Sequence, residues 1–236
     1  MVHGGTPFQL NVEDPVKDLL DPTIKGTENF LNVVKDAPDV KKVVFIASVA
    51  AYNTVFPMPI PERSPDHIYS EADPPFFHPE SHPYAQAKYY ADQAVRKYLN
   101  DHPDLSFEIV TVAPVLVVGK SLSSRQDSTS VGFQYLTKNQ IKPDPFWEML
   151  FENDVEWSMV EVTDVAESVY QAATLNGLHG KNYLLCSESW KMSDISLMLN
   201  KKPPKGGSRT VYSNLLASKD LGVKFKPPQI ALNQFE

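Results

Sequence analysis

The chain has 236 residues, 42% hydrophobic and 22% charged, a composition typical of one large globular domain or two small ones. Its formal net charge of −7, without a dense run of Lys and Arg, argues against nucleic acid as a partner. No apolar stretch reaches the ~18 residues of a membrane span, and the N-terminus lacks a signal-peptide pattern, so we expect a cytoplasmic protein with no membrane partner.

The first residues predict the end of a buried strand that runs into a turn. Gly4 and Gly5 permit a close approach of the backbone, and Pro7 fixes the direction in which the chain leaves. From residue 14 to residue 36, apolar side chains recur at steps of three or four, which predicts a helix that ends before Pro38.

A buried parallel strand is predicted over residues 41–48. This run is continuously apolar and rich in β-branched residues, the pattern of a central strand covered on both faces. Ser48 stands at its carboxyl end, where open α/β sheets place residues that bind ligands. The proline-rich residues 52–80 predict a long loop, which is either functional or a disordered surface excursion.

Tyr84 and Lys88 stand four residues apart in a helix predicted over about residues 83–100. On a helix, both side chains leave the same face about one turn apart. Bringing a phenol pKa from ~10 to neutrality takes about 4 kcal/mol, and a neighbouring ammonium can supply part of it. The same spacing also occurs by chance on amphipathic helices, so the pair alone does not establish a catalytic site.

The remaining pattern alternates strands and helices, which predicts an α/β fold with right-handed crossovers and a parallel sheet. Cys186 lies in an apolar strand pattern and predicts a buried thiol in a reducing compartment. Thr163 is the predicted N-cap of a helix that ends at Leu175. The other predicted elements are strands at 107–114, 157–162 and 181–186, and short helices at 133–136, 145–151 and 193–200.

Ser48, the Tyr84-x-x-x-Lys88 motif and the segment 114–119 together resemble the extended short-chain dehydrogenase/reductase superfamily. Within it, the chain is most similar to the dihydroflavonol-reductase-like group, which includes fungal aldehyde and ketone reductases. The likeness extends over nearly the whole chain in further segments: His3-Gly4-Gly5-Thr6-Pro7-Phe8, Pro22-x-x-x-Gly26-Thr27-x-Asn29-x-Leu31, residues 162–166 and residues 213–225.

The resemblance implies an NAD(P)H-dependent oxidoreductase that transfers a hydride between a nicotinamide and the carbonyl or alcohol carbon of a small aldehyde or ketone. Tyr84 would be the acid/base, Lys88 would lower its pKa and bind the nicotinamide ribose, and Ser48 would donate to the substrate oxygen. The implied cofactor is NADP(H) rather than NAD(H), with no metal site. The implied cofactor-binding residues, besides Tyr84 and Lys88, are Gly5, Thr6, Pro7, Pro114, Val115 and Val117, and Asn29 is a candidate for a supporting polar role.

One departure from the family concerns the cofactor phosphates. The family begins with a strand and a glycine-rich turn, G-x-x-G-x-x-G, which holds the pyrophosphate, and no such run occurs among the ten glycines of this chain. We therefore expect a Rossmann-like parallel sheet that lacks its first three strands, has one uncovered edge and binds cofactor poorly by itself. We also expect the chain to stop after Pro227-Pro228 without a last helix.

The predicted domain organisation has two parts. Residues 1–119 form the C-terminal part of a Rossmann-like dinucleotide-binding domain with the catalytic residues. Residues 120–236 form a small substrate-binding region, whose strand and helix at about 157–175 return to the main sheet. The loop 52–80, together with residues 120–150, is expected to line the substrate pocket.

Two other functions stay open at this stage. A truncated and inactive paralogue could bind a partner along the uncovered sheet edge. An epimerase or dehydratase of the same superfamily would share the tyrosine and the lysine, although the turn at 3–8 and the segment 213–225 disfavour it. The resemblance allows either a monomer or a homodimer formed through the helices at 14–36 and 83–100.

Overall fold

A four-stranded parallel sheet forms the centre of the computed structural model, which describes residues 1–5, 13–121 and 128–235. The strand order is β1-β2-β3-β6, and each neighbouring pair is parallel. These four strands are β1 (Val2–His3), β2 (Lys42–Ile46), β3 (Glu108–Pro114) and β6 (Asn182–Leu185). The predicted α/β fold with a Rossmann-like parallel sheet is confirmed.

Helices cover both faces of this sheet. Val43, Phe45 and Ile109 point to the side of α1 and α2, whereas Val44 and Val110 belong to the core on the other face, which α5 helps to cover. Burial on both faces explains why β2 and β3 are continuous apolar runs. The helices are α1 (Asp21–Val34, preceded by a π-helical turn at Val16–Leu20), α2 (Pro83–Asp101), α3 (Thr129–Asn139), α4 (Pro145–Glu152), α5 (Val162–Thr174), α6 (Met192–Leu199), α7 (Leu215–Leu221) and α8 (Gln229–Asn233).

A second sheet of three strands begins directly after β3. It contains β4 (Leu116–Val118), β5 (Glu156–Glu161) and β7 (Glu188–Lys191), with β4 parallel and β7 antiparallel to β5. Only Val115 separates β3 from β4, so the chain passes from the main sheet to the second sheet at this residue.

Three expectations from the sequence are wrong. The strand predicted at 157–162 does not return to the main sheet but pairs with β4 and β7, because an apolar strand pattern does not specify its partner; α5 does contact β2 and β3. Thr163 is not the N-cap, because α5 already begins at Val162 and the Thr163 hydroxyl donates to the Glu161 carboxylate. A short helix, α8, follows Pro227-Pro228, where none was expected.

The long loop 52–80 is packed against the core. Tyr52, Ile60 and Tyr69 are buried, and the main chain of Tyr69 exchanges hydrogen bonds of 2.8 Å with Val211 and Ser213. The loop also covers the free edge of β6, since the Glu71 carboxylate accepts a hydrogen bond of 2.7 Å from the Leu184 main-chain N–H. It is therefore an ordered part of the fold rather than a disordered excursion.

Further sequence expectations concern the uncovered sheet edge, the cysteine and the membrane. β1 has no strand on its outer side among residues 1–5, 13–121 and 128–235, and Val2 is exposed. Burial raises the pKa of the Cys186 thiol to about 12, which confirms the predicted buried thiol. Of the helices described, none combines the length and apolar character needed to cross a bilayer.

Candidate active site

The carboxyl ends of the parallel strands meet at one edge of the main sheet. In the register of the sheet, His3 pairs with Phe45, and Ile46 pairs with Val112. The segments that follow β1, β2 and β3 therefore leave the sheet side by side, which is where open parallel sheets bind ligands.

Ser48 lies two residues beyond β2 at this edge. Its backbone is extended, and its Oγ accepts a hydrogen bond of 3.2 Å from the Ala50 N–H, which caps a 3₁₀ turn at Val49–Ala51. The same side chain lies close enough to the Tyr84 hydroxyl to lower the pKa of that hydroxyl through hydrogen bonding. The cap fixes the direction of the Ser48 side chain and so fixes the position of that second contact.

Tyr84 lies in the first turn of α2. The helix begins there because Pro83 occupies its first position and the His82 ring, as N-cap, accepts a hydrogen bond of 3.2 Å from the Tyr84 N–H. Burial raises the pKa of the Tyr84 hydroxyl, and the hydrogen bond from Ser48 partly opposes that rise.

Lys88 lies one helical turn after Tyr84 and is 7% exposed. Its ammonium donates a hydrogen bond of 3.3 Å to the Ile46 carbonyl oxygen and lies 5.9 Å from the centre of the Tyr84 ring. Burial lowers the pKa of Lys88 to about 8. The expected lowering of the Tyr84 pKa by Lys88 is therefore wrong for this arrangement, because burial of the phenol outweighs its contacts and the ammonium is directed at Ile46.

A small cavity lies behind the lysine, between α2 and the main sheet. Its polar lining includes His3, Thr27, Lys88 and Asp92. Burial, together with the nearby Lys88 charge, lowers the pKa of His3, which favours the neutral imidazole. The supporting residue expected at Asn29 is misplaced, because that side chain lies on the exposed face of α1, whereas Thr27 is buried and reaches the cavity.

The candidate cofactor residues fall into different positions. Gly5 follows β1 and is exposed at the site edge, while Thr6 and Pro7 lie outside the described residues. Pro114 and Val115 are buried at the end of β3, and the Val115 N–H donates to the Leu185 carbonyl at 3.1 Å. Val117 belongs to the second sheet, where it pairs with Val160.

The sequence did not single out a second group of polar residues on α2. Asp92 and Arg96 continue the row that begins with Tyr84 and Lys88, each four residues after the last, so they lie on the same helix face. Arg96 also lies over the ring of Tyr52, with 5.6 Å from its guanidinium carbon to the ring centre. The four-residue spacing is a signal from which the group could have been found.

The described residues contain no group of three or more His, Cys, Asp or Glu placed to hold a metal ion. Ser48, Tyr84 and Lys88 meet at the carboxyl edge of the parallel sheet, where open α/β sheets bind their ligands. The family model described as "NAD dependent epimerase/dehydratase family" matches residues 8–186. The chain belongs to this family.

Reductases are among its relatives. Cinnamoyl-CoA reductase CAD2 of Medicago truncatula is 29% identical over 185 residues, which are 75% of this chain and 51% of the relative. Ketoreductase azaE of Aspergillus niger is 28% identical over 221 residues, 91% of this chain and 63% of the relative. The chain thus spans between half and two thirds of the length of these two relatives.

Solved reductase structures share the fold. The yeast methylglyoxal/isovaleraldehyde reductase Gre2, complexed with NADPH, superposes with a TM-score of 0.79 at 21% identity, over 99% of this chain and 74% of that one. Gre2 of Candida albicans in complex with NADPH gives a TM-score of 0.80 at 19% identity, with the same coverage of 99% and 74%.

Proposed function

We propose that this chain belongs to an NAD(P)H-dependent reductase that reduces a small aldehyde or ketone to the alcohol. The observation that carries the proposal is the meeting of Ser48, Tyr84 and the buried Lys88 at the ligand-binding edge of the parallel sheet. The names of the two curated relatives, a cinnamoyl-CoA reductase and a ketoreductase, support reduction of a carbonyl compound. The NADPH held by both Gre2 structures supports NADP(H) over NAD(H).

Ser48 and Tyr84 would act on the carbonyl oxygen of the substrate. Their hydroxyls lie side by side, so a carbonyl oxygen that takes the place of their mutual contact can accept a hydrogen bond from each. Ser48 would donate to the oxygen as charge develops, and Tyr84 would give up its proton to form the alcohol. Because burial raises the Tyr84 pKa, the phenol is protonated at neutral pH, the form that an acid in a reduction needs.

Lys88 would stabilise the phenolate that Tyr84 leaves behind. Its ammonium is one turn away on α2, and its buried position strengthens electrostatic interactions compared with water. When bound, the nicotinamide supplies the hydride, and its ribose hydroxyls would be ligands of the same ammonium.

The residues present fit the nicotinamide end of the cofactor. Main-chain carbonyl oxygens at Pro114 and Val115 would accept from the carboxamide, because the Val115 N–H already donates to Leu185 and proline has no N–H. Val117 would lie further along the same segment, and Gly5, Thr6 and Pro7 would follow the ribose and pyrophosphate. Gly5 is open to an approaching ligand, since a Cβ there would meet, among the residues that the structure describes, only the His3 ring, at 3.8 Å. For the phosphates, the ten glycines provide no glycine-rich turn.

Within this proposal, residues 1–119 supply the cofactor side of the site and residues 120–236 the substrate side. The loop 52–80 would close the substrate pocket, and Phe56 of this loop already packs edge-on against Trp157 of β5, with 5.3 Å between ring centres.

The test is NADPH- and NADH-linked reduction of a panel of aldehydes and ketones. Two proteins are assayed: this chain, and the chain extended at its N-terminus with the strand and glycine-rich turn of a relative. We expect the extended protein to be active with NADPH. Tyr84→Phe should lower this activity at least 100-fold, whereas Tyr170→Phe, at an exposed tyrosine of α5, should leave it unchanged. Full activity of the Tyr84→Phe variant would overturn the catalytic assignment, and inactivity of both proteins with every substrate, together with no cofactor binding by calorimetry, would overturn the reductase proposal.

A further inference from the structure

A partly buried ion pair lies along α2 beyond the candidate catalytic residues, with the Arg96 side chain 31% exposed and the Asp92 side chain fully buried. Asp92 is 3% exposed, and its Oδ2 accepts a hydrogen bond of 2.6 Å from Arg96 Nε. The guanidinium carbon of Arg96 lies 5.6 Å from the centre of the Tyr52 ring, and Tyr52 is 5% exposed. Burial raises the pKa of Asp92, and the guanidinium of Arg96 opposes that rise.

These three residues join the two segments that carry Ser48 and Tyr84. Asp92 and Arg96 lie on α2, two and three turns after Tyr84. Tyr52 is the residue that ends the 3₁₀ turn capped by Ser48. The Ser48–Tyr84 hydrogen bond thus joins the turn to α2 at one point, and the Arg96 contact with Tyr52 joins them at another.

The ion pair is not expected to contribute much net stability to the fold. Asp92 Oδ1, Arg96 Nη2 and the Tyr52 hydroxyl are buried and have no well-formed hydrogen bond among the described residues. Buried polar atoms without partners are costly, and buried ion pairs can often be replaced by apolar side chains without loss of stability. The pair does, however, impose a direction, because a guanidinium held by a carboxylate and placed over a ring permits few orientations.

We propose that Tyr52, Asp92 and Arg96 form a positioning clamp that keeps α2 and the Ser48 turn at the distance required for the Ser48–Tyr84 hydrogen bond. The clamp residues do not contact the reacting atoms and act through Ser48 and Tyr84. The catalytic consequence rests on the proposed function, whereas the structural consequence can be measured without any cofactor. Because small misplacements of reacting groups are costly, loosening the clamp is expected to lower kcat rather than raise KM.

The first experiment observes the Tyr84 hydroxyl in this chain without cofactor. With ¹³Cζ-labelled tyrosine, the Tyr84 resonance is assigned by its loss in Tyr84→Phe and followed at neutral pH, where it reports the hydrogen bond to Ser48. We expect Arg96→Met to shift this resonance towards its position in Ser48→Ala. In the Ser48→Ala background, Arg96→Met should add no further shift, since the bond is already absent.

Matched variants separate the clamp from charge and stability. Lys97→Met removes one positive charge from the next, exposed position of α2 and should leave the Tyr84 resonance unchanged. Asp92→Leu/Arg96→Met removes both charges, so no unpaired ion remains buried, and it should fold with wild-type stability or better and still shift the resonance. Arg96→Lys keeps the charge without the planar guanidinium and should restore the resonance only in part.

The kinetic arm uses whichever form of the protein is active. Arg96→Met and the double variant should lose 10- to 100-fold in kcat, with KM for the carbonyl substrate within about 3-fold of wild type. An unshifted Tyr84 resonance in both Arg96→Met and the double variant would overturn the clamp, as would an equal shift in the Ser48→Ala background. If Tyr84→Phe is fully active while the resonances behave as expected, the proposed function fails and the clamp stands.

Discussion

The ammonium of Lys88 donates a hydrogen bond of 3.3 Å to the main-chain carbonyl oxygen of Ile46, the last residue of β2. The contact ties the first turns of α2 to the sheet edge, two residues before Ser48. Within the described part of the chain, the Ile46 carbonyl is the one hydrogen-bond acceptor of this buried charge, and burial lowers the Lys88 pKa to about 8. The buried ammonium therefore lowers the stability of the chain, and it places a positive charge beside Tyr84.

Replacing this lysine should stabilise the chain in a pH-dependent way. The Lys88 pKa falls from 10.5 to about 8 on folding, so the buried charge is most destabilising below pH 8, and the cost fades as pH rises to 10.5. Lys88→Met should therefore raise the free energy of unfolding by up to about 3 kcal/mol at pH 6.5 and by clearly less at pH 9.5. Urea unfolding of both proteins at each pH measures the difference.

Lys97→Met is the control for this prediction, because Lys97 is exposed on the same helix and pairs with Asp101. It should change stability by less than about 0.5 kcal/mol at either pH. A Lys88→Met variant that is less stable than wild type at pH 6.5 would show that the ammonium contributes net stability through Ile46.

Ser48 has a structural role that can be separated from its chemical one. Its Oγ accepts from the Ala50 N–H as well as contacting Tyr84, so Ser48→Ala should cost about 1 kcal/mol of stability through the lost cap. Ser48→Thr retains the hydroxyl and should keep both the stability and most of the reductase activity. Denaturant midpoints and initial rates for the two variants test this, and equal stability of Ser48→Ala and wild type would show that the cap contributes nothing.

The local part of this site was predictable from the sequence. Ser48, Tyr84 and Lys88 follow from a strand end and a helical spacing, both of which are short-range patterns. Burial is not visible in such patterns, and it is burial that raises the Tyr84 pKa where the spacing suggested a fall. The clamp was missed for a related reason, since Tyr52 and Arg96 meet only through the tertiary fold.

The fold shows the same division between local and long-range information. The helix at 83–100 and the strand at 107–114 were predicted within one or two residues of α2 and β3. β7 was missed because Glu188-Ser189-Trp190-Lys191 has little apolar content, and it exists through its pairing with β5. The pairing of β5 could not be predicted from the sequence. The chain leaves the main sheet at Val115, and the strand that follows, β4, pairs with β5 in the second sheet.

Glu71 protects the outer edge of β6, and its removal should expose that edge. The carboxylate accepts the Leu184 N–H at 2.7 Å, so Glu71→Ala leaves a partly buried donor without a partner and should cost about 1–3 kcal/mol. Glu71→Gln keeps an acceptor oxygen for the Leu184 N–H and removes a carboxylate whose pKa is raised by burial. Its loss of stability should therefore be smaller than that of Glu71→Ala. Urea unfolding with light scattering of the native proteins checks both, and a Glu71→Ala variant as stable and as monodisperse as Glu71→Gln would contradict the protective role.

Gly119, just after β4, and Gly132, within α3, should show opposite changes in stability when each is replaced by alanine. Gly119 has a φ of +133°, and a Cβ there would stand 2.9 Å from Val162 Cγ1, so Gly119→Ala should destabilise the chain by about 1–3 kcal/mol. Gly132 lies within α3, where an added Cβ would meet no atom of the described residues within 4 Å, so Gly132→Ala should stabilise the chain by about 0.5–1 kcal/mol through helix propensity. Thermal or urea unfolding of the two variants beside wild type gives both signs in one experiment. Because the two substitutions add the same methyl group, opposite signs would assign the Gly119 effect to backbone strain and to the Val162 contact, and equal signs would refute that assignment.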